Sequence, residues 1–127
     1  MNKKENDKIN CIEGFLEQFR VYMDTFNLTF ADRERDIYKD IEDLEINFNI
    51  AEDIIRGLTY KNYEKGPETD HSYNDQNIWV FGYEVKEKMA YIKLTDKCTN
   101  LAKCLSFHIA DYPMRLPYQK EKENTEE

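Results

Sequence analysis

Glycine and proline are both scarce, with four and three residues among 127. That leaves no glycine-rich cradle for phosphates: the chain contains no GxxxxGK[ST], GxGxxG or GxSxG pattern. Histidine is scarcer still, limited to His71 and His108, and there is neither an HExxH motif nor a carboxylate cluster of the kind that binds two metal ions. The residues point away from metal chemistry and imply no cofactor. The three cysteines, Cys11, Cys98 and Cys104, are odd in number, lack Cys-x-x-Cys spacing and lie far from any histidine pair, so reduced, structural thiols are expected. No apolar run approaches the roughly 18 residues needed to span a bilayer, and the first eight residues lack the apolar segment of a signal peptide. A soluble, cytoplasmic protein without a membrane partner is expected.

What is abundant is charge and aromatic surface. Charged residues make up 35% of the chain and hydrophobic residues 40%, with nine Tyr, seven Phe and one Trp. The length suits one domain with a modest core. The net charge is −8, unevenly spread: residues 1–77 hold 10 basic and 18 acidic side chains, 78–120 hold 7 and 4, and 121–127 hold 1 and 4. Overall acidity disfavours binding a polyanion, yet the middle segment is net basic. Acidity also suits recruitment of a basic partner.

Residues 1–8 are polar and expected to be flexible, and 119–127 form a charged tail expected to be disordered. Between them, residues 9–118 read as a single α+β domain. Ile12, Phe15, Leu16, Phe19, Met23 and Phe26 recur at spacings of three and four, which places them on one stripe of a helix over about 9–24. Leu28 to Ala31 fits either a brief strand or a helix-to-helix turn. Ile37, Ile41 and Leu44 mark a second helix; Ile50, Ile54, Ile55 and Leu58 mark a third, started by Asn49 with Glu52 and ending near Gly57. Thr59 can cap one further turn before Gly66-Pro67 stops it, and 68–76 read as a polar loop.

Three strands follow, 78–85, 90–95 and 103–109, with connections short enough for antiparallel neighbours. Alternation gives them two faces. Ala90, Ile92 and Leu94 share one with Leu105, Phe107 and Ile109. Tyr91, Lys93 and Thr95 share the other with Cys104, Ser106 and His108. The economical arrangement packs the helices on one face of a small, mainly antiparallel sheet of three or slightly more strands. The other face then carries a phenol, an ammonium, a hydroxyl and an imidazole. Trp79, Phe81, Tyr83 and Val85 share one face of their strand and are expected in the core.

Such groups suffice for one reaction without a metal. Cleavage of RNA by its own 2′-hydroxyl needs a proton removed, charge stabilised on the phosphorane and a proton delivered to the 5′-oxygen. His108 is the natural proton carrier, Lys65 and Lys93 can stabilise charge, and Tyr91 can position a phosphate or donate a proton. Arg115 can grip the RNA backbone, and Tyr63 and Tyr112 can stack on splayed bases. Cys104 has no neighbour placed to activate it as a nucleophile. Two other readings stay open: a module that binds a partner without catalysis, and an enzyme acting on a small phosphorylated ligand.

A series of short motifs carries a resemblance: Gly57-Leu-Thr59, Asn62-Tyr-Glu-Lys-Gly-Pro67, Ile78-Trp-Val-Phe-Gly82, Tyr91-Ile-Lys-Leu94 and Ser106-Phe-His108. In this order, over roughly residues 9–118, the chain resembles the MqsR-like toxins of type II toxin–antitoxin systems. The resemblance implies a RelE-like α+β fold and an mRNA interferase, an endoribonuclease that works without ribosomes or metal. It also implies neutralisation by a cognate antitoxin that binds zinc and carries a helix-turn-helix region. Among the functional residues of those toxins are a Lys after the helix end, matched by Lys65, a Gln after the Ile-Trp pair, and a Tyr in the Tyr-[Leu/Ile]-Lys strand, matched by Tyr91. Val80 stands where the Gln is found, and His108 is able to supply the missing polar function.

Overall fold

The structure, a computed structural model, describes residues 2–31, 35–70, 75–96 and 101–119. His71, Cys98 and most of the charged tail lie outside this set. The elements run α1 (Lys3–Phe26), β1 (Leu28–Phe30), α2 (Ile37–Asp43), α3 (Phe48–Arg56), a 3₁₀ turn (Tyr60–Asn62), β2 (Tyr63–Asp70), β3 (Asp75–Val85), β4 (Lys88–Thr95) and β5 (Ala102–Ile109).

The first helix begins at Lys3, six residues before the expected start at Ile9, so the residues before Ile9 that were expected to be loose are largely helical. A capping box explains the extension. Glu5 N donates to Asn2 Oδ1 at 2.8 Å and Asn2 N donates to Glu5 Oε1, satisfying two otherwise orphaned amides. The periodic stripe is buried as expected, through Ile12, Phe15, Leu16, Phe19 and Met23. Asn27, at φ 68°, turns the chain out of the helix and into β1. Helix α3 starts two residues earlier than Asn49 would set it: Asn47 Oδ1 accepts from Ile50 N at 2.9 Å. Arg20 ties the helices together, donating to the Arg56 and Leu58 carbonyls at the end of α3 at 2.8 and 2.5 Å.

Five strands form one mixed sheet in the order β1-β5-β4-β3-β2, against the three or slightly more that alternation suggests. β2, β3, β4 and β5 are antiparallel neighbours; β1 pairs with β5 in parallel through Leu28–Ala102, Thr29–Lys103 and Phe30–Cys104. Thr59 does cap a single turn, and the chain then enters β2, which the Gly-Pro pair concealed. All three helices cover one face. Residues from α1, α2 and α3 pack there with Trp79, Phe81, Ile92, Leu94 and Phe107, all in one core. Phe15 stacks on Trp79 with centroids 4.8 Å apart, which seats α1 on the sheet.

One β-bulge corrects the expected faces of β5. Lys93 pairs with Ser106, but the next residue, Leu94, pairs with Cys104, so Leu105 is the extra residue. Cys104 and Ala102 therefore join the helix-covered core, while Leu105 clusters with Ile78 and Ala31 away from it.

Candidate functional site

The face opposite the helices is built from two cross-strand rows. One runs Lys65–Val80–Lys93–Ser106 across β2, β3, β4 and β5; the other runs Gly82–Tyr91–His108. Residues directly opposite one another in adjacent strands have Cβ atoms about 5 Å apart. Lys65 and Lys93 are separated by two strand spacings, roughly 10 Å, so two flexible lysine stems can converge on one phosphate. Val80 lies between them and is completely buried. Val80, the position at which the resemblance noted above implies a Gln, is thus the midpoint of the cationic row.

In the second row, the Tyr91 and His108 rings stack at 4.9 Å with an interplanar angle of 15°. Tyr112 adds a third ring, edge-on to Tyr91 at 6.2 Å. Burial, with the nearby carboxylates Glu64, Glu68 and Asp111, pushes the Tyr91 phenol up to about 12. It remains protonated across the physiological range and can serve as a donor. His108 Nδ1 lies 2.7 Å from the Ile109 carbonyl, which can only accept, so Nδ1 carries a proton and Nε2 is the acceptor of the neutral ring. His108 as a residue is only 6% exposed.

The polypeptide that leaves β5 crosses this face. Ala110 N donates to the Met89 carbonyl, Tyr112 Oη donates to Glu64 Oε1 at 2.6 Å, and Met114 and Leu116 come against Gly82. A Cβ at Gly82 would meet Leu116 Cδ2, Met114 Sδ and Met89 Sδ, each at 3.1 Å. Gly82 therefore lets residues 110–119 lie close to the sheet. Tyr118 ends the crossing beside Tyr60 and Tyr63.

Of the seven site residues expected from sequence, Tyr91, Lys93 and His108 share this face, and Lys65 joins it through the β2–β3 pairing. Tyr112 reaches it from the crossing segment, and Arg115 is exposed on that segment. Tyr63 does not reach it. Its ring is buried on the helix side, edge-on to Trp79 and Phe81 at 6.0 and 6.3 Å, and so is unavailable for stacking on a base. Tyr63 Oη instead holds the Gly66 carbonyl at 2.7 Å, the peptide directly after Lys65. Cys104 also faces the core, and burial raises its thiol well above the ordinary range, which removes it as a nucleophile.

Sequence reading missed Glu64 and the covering role of residues 110–119. The signal was present: Tyr112, Met114 and Leu116 fall at every second position of a stretch that Pro113 and Pro117 hold extended, the period of a segment lying on a sheet. Among the described residues no group of three or more His, Cys, Asp or Glu side chains is placed to hold a metal ion, and no helix is long and apolar enough to cross a membrane.

Residues 16–109 match the family described as "Motility quorum-sensing regulator, toxin of MqsA". The chain belongs to this family. The match spans every residue of both cross-strand rows and ends at Ile109, the last residue of β5, so the crossing segment lies outside it. Membership of the MqsR toxin family makes the chain a toxin of a toxin–antitoxin system, with an antitoxin as partner. No curated protein and no solved structure gives a match.

Proposed function

We propose that this MqsR-family toxin is a metal-independent endoribonuclease that cleaves mRNA through attack by the 2′-hydroxyl, on a RelE-like scaffold in the cytoplasm. The observation that carries the reading is the cross-strand pair Tyr91–His108, with Lys93 two residues along the same strand face and Lys65 at the end of the adjoining row. Phosphate ester cleavage by this route requires only proton transfer and charge stabilisation, and this face supplies groups for both.

In the reaction, His108 Nε2 takes the proton from the 2′-hydroxyl and the freed oxygen attacks phosphorus. Lys65 and Lys93 hold the non-bridging oxygens as charge builds. Tyr91, whose raised pKa keeps it protonated, hydrogen-bonds the phosphorane and hands its proton to the departing 5′-oxygen, and the proton on His108 then restores the phenol. The P–O5′ bond breaks, leaving a 2′,3′-cyclic phosphate and a 5′-hydroxyl. Arg115 contacts the RNA backbone and the 41% exposed Tyr112 ring stacks on a base. The antitoxin, on this reading, is a small zinc-binding protein with a helix-turn-helix region.

A second reading has support from the burial of His108 and from Val80, which offers no side-chain hydrogen bond: a module that binds its antitoxin without cutting RNA. Purified protein incubated with mixed RNA in excess EDTA separates the two. Discrete fragments support the nuclease. Intact RNA together with tight antitoxin binding supports the module.

A further inference from the structure

A general base that is 6% exposed cannot meet a polynucleotide without movement of whatever covers it. Residues 110–119 are the portion of this face that lies outside the family match, and they are held unevenly. At the far end, Leu116 is buried against Gly82 and Tyr118 packs beside Tyr60 and Tyr63. At the near end, Ala110 N is hydrogen-bonded to the Met89 carbonyl. Between these anchors Asp111, Tyr112, Pro113 and Arg115 are exposed. Among the described residues, this middle part is fastened by the 2.6 Å bond from Tyr112 Oη to Glu64 and by a longer Asp111–Arg35 ion pair at 3.7 Å between exposed groups.

We propose that residues 111–115 form an internal latch over the Tyr91–His108 pair, closed by the Tyr112–Glu64 hydrogen bond and opened before a substrate can reach the imidazole. The anchors at both ends confine the opening to a short bulging of the exposed stretch, an event of the low-cost local kind that leaves the rest of the fold intact. Opening frees the Tyr112 ring and the Glu64 carboxylate together, and it withdraws Tyr112 from the edge of Tyr91. The base-stacking role given to Tyr112 above then belongs to the open form. The use of the latch rests on the nuclease reading; its existence does not.

The test uses the full chain and two probes. Tyr112→Phe keeps the ring and removes only the donor, while Glu64→Ala removes the acceptor from the other side of the face. A lost hydrogen bond to a charged group shifts the open-to-closed ratio by roughly 10-fold. The first probe is diethyl pyrocarbonate, with carbethoxylation of His108 followed by peptide mass spectrometry against free N-acetylhistidine. Both variants should modify His108 roughly 10-fold faster than the parent, on the same hydrogen-bond arithmetic. The second probe is cleavage of single-stranded RNA, which Tyr112→Phe should accelerate in parallel. Faster His108 modification with no RNA cut by any protein would keep the latch and remove the nuclease. Unchanged His108 modification in both variants, within twofold, would overturn the latch whatever the RNA result.

Discussion

Gly66 links the fold to the candidate site, and replacing it with Ala is the sharpest structural test. Its φ is +125°, a region that residues with a Cβ rarely enter, and a Cβ built there would stand 2.5 Å from the Ile78 carbonyl oxygen and 2.9 Å from Trp79 Cα. Both obstacles are backbone of the neighbouring strand, so neither can swing aside as a side-chain tip would. Backbone strain of this sort costs about 1–3 kcal/mol. Forcing an extra carbon into a packed site costs about another 1–3 kcal/mol. Gly66→Ala should therefore destabilise the chain by roughly 2–6 kcal/mol, a large part of the 5–15 kcal/mol typical of a domain. The Gly66 carbonyl also accepts from Tyr63 Oη and from Lys8 Nζ, so a shifted peptide loosens the register that presents Lys65. Urea unfolding followed by tryptophan fluorescence measures the loss. Gly14→Ala is the matched control, because nothing lies within 4 Å of its Cβ position and Gly14 sits inside α1. That change should stabilise by about 0.5–1 kcal/mol. A Gly66→Ala protein that loses less than about 1 kcal/mol would refute the steric reasoning, and with it the account of how Lys65 is positioned.

Lys65→Ala and Tyr91→Phe should each lower kcat/KM for RNA by at least ~100-fold while the unfolding midpoint moves little; a change under threefold in both would exclude them from the chemistry. Burial raises the phenol of Tyr91 to about 12 from the ordinary 10, so between those values the unfolded chain releases its proton first and stability falls as pH rises. Urea midpoints at pH 8 and pH 11 should show that loss, and Tyr91→Phe should reduce it; an unchanged difference would place the alkaline sensitivity elsewhere. Cys11 is exposed and Cys104 buried, so a thiol reagent in native buffer should label Cys11 rapidly and Cys104 only after unfolding, as read by peptide mass mapping. Labelling of both at equal rates would contradict the bulge that turns Cys104 inward.

The parts of the fold legible in sequence are those with a strong period. The α1 stripe and the alternation in β3 and β4 each turn one set of side chains toward the helix-covered core, so Phe15, Phe19, Trp79, Phe81, Ile92 and Leu94 could be placed there directly, although Ile78 and Val80 on the opposite side of β3 are buried as well. The parts that were not legible break a period or lack one. β2 contains Gly66-Pro67 and register shifts on both sides of Lys65, which read as a turn although the backbone still pairs. Leu105 interrupts the alternation of β5, a single extra residue that no composition rule reveals. Asn2 and Glu5 extend α1 through capping geometry and not through apolar spacing. At the site, Tyr91, Lys93, Ser106 and His108 could be put on one face because alternation fixes direction. The depth of His108 could not, since alternation fixes the direction of a side chain and not how much neighbouring chain covers it. Tyr63 was misassigned because an amphipathic ring in a strand serves either face, and only its pairing with Phe81 decides.

The central claim is that this face cuts RNA by using the substrate's own 2′-hydroxyl. Its most direct test is a short RNA containing one mapped cut site, prepared with ribose and with a single 2′-deoxyribose at that position, each incubated with the purified toxin in excess EDTA. The account predicts that the ribose substrate yields a 2′,3′-cyclic phosphate and a 5′-hydroxyl and that the deoxy substrate stays whole. Cutting of the deoxy substrate at the same bond, or products ending in 3′-hydroxyl and 5′-phosphate, would contradict it.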